Sequence, residues 1–125
     1  MDKDSYSEDF IVKEQDCISE ISSSLPSVLG TYILVKWMET VSARLINKQI
    51  DTQKYMTMGK RVDIEHGGMA KRGEEIMIKA TVVEQSKREI LLRVVAMLGD
   101  HEIAIASHTR IVISKKVLSK MMGEI

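Results

Sequence analysis

Between Thr31 and Asn47 apolar side chains return every three or four positions, at Leu34, Trp37, Met38, Val41 and Leu45. Lys36, Thr40, Arg44 and Lys48 fall off that stripe. This period predicts one long amphipathic helix over about 31–47. Beyond it the period drops to two. Val62 and Ile64 alternate with Asp63 and Glu65, and Ile76, Ile78, Ala80 and Val82 share one face. Strands are predicted over 55–66, 75–84, 89–97 and 102–114. In the third of these both parities are apolar (Ile90, Leu92, Val94 against Leu91, Val95, Met97), the pattern of a central strand covered on both sides. The breaks "QSKR" and "LGD" predict hairpins, hence antiparallel neighbours. Ahead of the helix, "SEDFIVKEQDCIS" alternates briefly enough for an initial strand, and "SSSLPSVLGT" reads as the connection into the helix. The tail "SKKVLSKMMGEI" predicts a short final helix.

One long helix followed by antiparallel strands is an α+β arrangement, expected as a single domain over 1–125. The direct way to bury both elements is a curved sheet wrapped around the helix, with Leu34, Met38, Val41 and Leu45 against Ile76, Ile78, Leu92 and Val94. A sheet with an open edge and an apolar outer face needs a partner, so a homodimer is expected.

Composition narrows the classes of function. At 125 residues with 44% apolar and 29% charged side chains, the chain has the make-up of a folded domain with a core, not of a disordered segment. Lys+Arg and Asp+Glu both number 18, so no net field draws in nucleic acid or an anionic membrane. The lone Cys17 cannot form an internal disulfide, which points to a reducing compartment. The start "MDKDSYSEDF" is too polar for a signal peptide, and no apolar run has membrane-spanning length. A soluble cytoplasmic domain without nucleic-acid or membrane partners is expected.

Three residues carry candidate chemistry. His66 occupies an inward strand position where Ile or Val would continue the pattern, and Gly67 and Gly68 follow it. It is either a satisfied core histidine or an acid/base group aimed by a strand end, since imidazole titrates near neutrality. Glu39 lies away from the apolar stripe, either as a solvated helix carboxylate or, at a dimer interface, as a partly desolvated functional group. Thr31, beside Gly30, reads as a helix N-cap. Arg110 has the parity opposite to Ile111 and Ile113, which predicts a solvated strand face. His66, His101 and His108 match no ligand spacing, so no metal is expected. Phosphate-loop, dinucleotide and nucleophile-elbow motifs are missing.

Taken together, "GTYILVKWME" and "MGKRVDIEHGGMAKRGEEIMIKATVVEQSKREILLRVVAMLGDHEIAIASHTRIVI" resemble the hotdog-fold thioesterases of the fluoroacetyl-CoA thioesterase type, from about Leu29 to Ile113. The resemblance implies a hotdog fold and thioester hydrolysis with Thr31, Glu39 and His66 as the catalytic set. It also implies Gly59 and Arg110 as substrate-binding positions, an acyl-CoA substrate whose coenzyme A is the only cofactor-like group, and a site at a homodimer interface. The chain departs from the pattern in having "GGMAKRG" without proline after the histidine, and Thr109 where relatives carry Glu. On the residues alone, a non-catalytic acyl-CoA-binding module and a ligand-free regulatory dimer stay open beside the enzyme.

Overall fold

The structure, a computed structural model, describes residues 4–123. It runs β1 (Ser5–Ile11), two single 3₁₀ turns (Glu14–Asp16 and Ile18–Glu20), α1 (Thr31–Asn47), β2 (Tyr55–His66), β3 (Glu75–Gln85), β4 (Glu89–Leu98), β5 (His101–Ser114) and α2 (Lys115–Met121). The five strands form one antiparallel sheet in the order β1-β3-β4-β5-β2. The two predicted hairpins are present, and β1 and β2 are the edges. The segment expected to be an initial strand from "SEDFIVKEQDCIS" is a strand only to Ile11. Past it, Asp16 turns back to accept the Lys13 backbone N–H (2.9 Å), which closes a 3₁₀ turn instead of extending the sheet. Neither helix is long and apolar enough to cross a membrane.

The periodicity of α1 becomes packing. Leu34, Met38 and Val41 are fully buried and Leu45 nearly so, in one cluster with Ile76, Ile78, Leu92 and Val94 of the sheet's concave face. Burying four such side chains removes apolar surface worth about 1.5–3 kcal/mol each. Trp37 closes the β1 side of this core by stacking on Phe10, with centroids 4.8 Å apart. β4 is central in order, as its sequence predicts, but its second face is not covered: Leu91, Val95 and Met97 are only partly buried on the sheet's convex side.

α2 starts at Ser114, whose hydroxyl accepts the Val117 N–H. Cys17 is fully buried among core residues, where burial pushes its thiol up.

Candidate active site

α1 lies across the concave face so that its solvent-side flank runs along β2 and β5. Two polar clusters form on that seam, one at the start of the helix and one near its middle.

The first joins Thr31 to His66. The helix N-cap is Gly30, in extended backbone, with no side-chain cap, so Thr31 is the first helical residue and not the cap its position suggested. Its hydroxyl instead lies 2.8 Å from His66 Nδ1. His66 ends β2 on the inward parity set by Val62 and Ile64, opposite Ala104 of β5. The two glycines behind it close the strand tightly. The N–H groups of Gly67 and Gly68 both donate to the Ile103 carbonyl (3.1 and 3.0 Å). A Cβ at Gly68 would come within 2.9 Å of the Ile103 side chain, so a bare backbone is needed there. The other ring nitrogen, His66 Nε2, is buried and has no hydrogen-bond partner among the described residues. A buried, unpaired imidazole nitrogen is costly in a finished core and useful where a proton has to move.

The second cluster gathers Glu39, Gly59, Thr57, His108 and Arg110. Arg110 is not on a solvated face: it is 6% exposed. The inner face of β5 is the one carrying Ala104, Ala106, His108 and Arg110, while Ile111 and Ile113 lie on the half-covered outer side. Parity was read correctly and the face wrongly, because the polar pair is the inward one. Arg110 Nε donates to Thr57 Oγ1 (3.0 Å), Nη2 to the Thr57 carbonyl (3.1 Å), and Nη1 lies 3.2 Å from His108 Nε2. His108 Nδ1 in turn meets the Arg61 carbonyl at 2.8 Å, beside the β-bulge that shifts the β2–β5 register between Gly59 and Arg61. Burial, and secondarily the Arg110 charge, push His108 below the usual imidazole range, against the Arg61 carbonyl and Glu39.

Glu39 points from α1 into this group. Its Oε1 is 3.5 Å from Arg110 Nη1, an ion-pair distance, and its side chain is 42% exposed. Gly59, paired with Arg110 across the ladder, leaves the space the carboxylate uses, since a methyl there would overlap Glu39 Oε1.

The structure therefore joins Thr31 to His66, and Glu39 to Gly59 and Arg110, but does not bring Glu39 to His66 in one protomer. Eight residues of helix separate Thr31 from Glu39, a rise of about 12 Å. His108 is the residue that sequence reasoning missed. It was weighed only as a metal ligand, although its parity with Arg110 in "SHTR" was visible. Among the described residues, no group of three His, Cys, Asp or Glu is placed to hold a metal. Two hollows of about 460 and 380 Å³ lie on the outer sheet face, lined by residues such as Leu91, Thr109 and Val83, and neither includes Thr31, Glu39 or His66.

Comparison with known proteins identifies the fold and the family. The fluoroacetyl-CoA thioesterase FlK superposes with a TM-score of 0.84 at 21% identity, covering 97% of this chain and 94% of that one. A FlK variant in complex with acetyl-CoA gives 0.86 at 19% identity, covering 96% and 94%. A hot-dog-like protein from Thermanaerovibrio acidaminovorans gives 0.88 at 18% identity, covering 96% and 88%. These likenesses establish the hotdog fold. By sequence, no curated protein matches the chain. The family model described as fluoroacetyl-CoA-specific thioesterase (FlK) matches residues 12–116. With that match over most of its length, the chain belongs to the fluoroacetyl-CoA-specific thioesterase family and is a thioester hydrolase.

Proposed function

We propose that the protein is a homodimeric acyl-CoA thioesterase whose active site joins the Glu39 cluster of one subunit to the Thr31–His66 pair of the other. The observation that carries this reading is the Thr31–His66 hydrogen bond with His66 Nε2 left buried and unpaired. Such a nitrogen needs a partner, and the described residues of the protomer supply none.

The free edge of β2 supports the dimer. It is twelve residues long, pairs only with β5, and carries partly buried Val62 and Ile64 on its inner side. A long uncovered edge is a template for a second strand. Antiparallel pairing of β2 with its copy, centred between Val62 and Asp63, sets His66 of one subunit opposite Gly59 of the other, beside the Glu39 cluster that the same protomer keeps apart from it.

In this site Glu39 is the nucleophile or general base. As a base it takes a proton from water while the water oxygen attacks the thioester carbonyl carbon. As a nucleophile its oxygen makes that bond, forming an acyl anhydride that water then opens. In both routes the C–S bond breaks, the thiol leaves as coenzyme A, and His66 Nε2 handles the proton. Thr31 fixes the His66 ring, the Gly59 backbone lines the acyl pocket, and the Arg110 charge beside Glu39 favours the developing oxyanion. The acetyl-CoA bound by the FlK variant supports an acyl-CoA substrate. The test is purified protein given a panel of short acyl-CoAs, with free thiol followed by a colorimetric reagent. Coenzyme A release that is abolished by Glu39→Gln is expected. Release at the parent rate by Glu39→Gln would overturn the assignment.

A further inference from the structure

His108 is a buried imidazole that this mechanism does not use. Its surroundings fix its chemical state. Arg110 is a permanent cation with donors only, so a nitrogen 3.2 Å from its Nη1 must be an acceptor. The proton therefore sits on Nδ1 and is donated to the Arg61 carbonyl. Arg110 is thus held by three acceptors that are not Glu39: Thr57 Oγ1, the Thr57 carbonyl and His108 Nε2. Two belong to one residue on the strand side of the guanidinium. His108 alone restrains Nη1, the nitrogen that faces Glu39.

Guanidinium and carboxylate are otherwise matched to close into a two-pronged hydrogen-bonded pair. Closed in that way, Glu39 would be a poor base and a poor nucleophile, since its lone pairs would be occupied. The observed arrangement stops short of that, with Nη1 at ion-pair distance and the carboxylate still partly open.

We propose that His108 is a positioning residue: in its neutral, Nδ1-protonated form it tethers Arg110 to the sheet and keeps the guanidinium beside Glu39 without closing on it. The proposal rests on the role given to Glu39 above. The groups acting on the His108 ring are Arg110 on its own strand, Glu39 on α1 and the Arg61 carbonyl on β2. Loss of the tether lets Arg110 close on Glu39, which occupies the carboxylate's lone pairs and lowers kcat.

The experiment compares His108→Leu with His108→Gln, whose amide oxygen restores an acceptor near the position of Nε2. His108→Leu is expected to lower kcat about ten- to a hundredfold, the usual cost of losing a group that orients a working one, with KM little changed. His108→Gln should return kcat toward the parent. A Leu variant with parental kcat overturns the proposal, as does a Gln variant as impaired as Leu. Because a Leu variant can fail to fold, ¹⁵N NMR of the parent's histidines gives an independent reading. His108 should show a proton on Nδ1 and none on Nε2 at neutral pH, and a proton on Nε2 overturns the tether. That spectrum does not depend on Glu39, so failure of the tether and failure of the catalytic reading are told apart.

Discussion

The two ends of the α1–β2 seam are built on opposite plans. At the Glu39 end, His108 and Arg110 are buried and each has acceptors or donors assigned within the protomer. At the Thr31 end, the hydroxyl is exposed, the histidine is half-buried, and one ring nitrogen is buried without a partner. A satisfied network rigidifies, because every departure breaks a hydrogen bond in a low-dielectric setting. An unsatisfied group is tolerated only where something else completes it. The Glu39 end therefore presents a carboxylate beside a fixed cation, and the Thr31 end an incomplete acid/base waiting for the other half.

The largest effects should come from removing the working atom at each end. Glu39→Gln and His66→Ala are each expected to lower kcat about 10²–10⁴-fold, the range for losing an acid/base or nucleophilic partner. Thr31→Ala should cost less, since it only orients the ring. The double variant Glu39→Gln/His66→Ala should lose little more than either single one if both ends serve one site. Fully multiplied losses in steady-state kinetics would mean that the two ends work separately.

Mixing subunits sharpens the same point. If Glu39 and His66 meet across the dimer, a heterodimer of a Glu39→Gln subunit and a His66→Ala subunit has one intact site and one doubly altered site. Unfolding and refolding the two inactive proteins in equal amounts should then recover roughly a quarter of the parent activity, the share set by random pairing. If both residues act within a subunit, the mixture stays as inactive as its components.

A smaller change tests the fit between backbone and carboxylate. A methyl at Gly59 takes the place of Glu39 Oε1. The carboxylate end of the side chain is mobile enough to swing aside, so folding should be spared. An alanine in a strand also costs less backbone entropy than a glycine. Gly59→Ala is expected to lower kcat about tenfold or more with an unchanged or slightly raised Tm, read from thiol release and thermal unfolding. Parental activity would show that Glu39 does not work from the position it holds here.

Local pattern and ladder order were not equally legible in the sequence. The stripe of Leu34, Met38, Val41 and Leu45 and the alternation at Ile76 and Ile78 belong to single elements, where period alone identifies the buried face. The place of β2 at the sheet's edge, beside β5 and away from the β3 that follows it, is a property of the whole ladder and leaves no local mark. The same limit explains Arg110. Its parity was plain, but a strand with apolar side chains on both parities does not announce which one meets the helix. Thr31 looked like a cap because capping is the commonest use of a hydroxyl at a helix start. Its partner His66 is 35 residues away in sequence, and only the fold brings them together.

The smallest predicted effect separates the two histidine environments by stability alone. Burial holds His108 neutral, so its folded pKa lies below its ordinary value of 6.5. Below that value the unfolded chain takes up a proton that the folded protein resists. The unfolded state then binds more protons, and stability falls as pH is lowered from about 6.5 toward the depressed folded value. Above that window His108 contributes no pH dependence. The parent should therefore lose Tm as pH falls below about 6.5, and His108→Gln, which cannot titrate, should lose less over the same range. Every other titrating group is common to both proteins, so the difference between the two curves isolates the imidazole. Parallel curves from thermal unfolding would mean that His108 accepts its proton in the folded state as readily as in the unfolded chain. The network around Arg110 would then not hold the imidazole neutral, and the rigid half of the contrast would be lost.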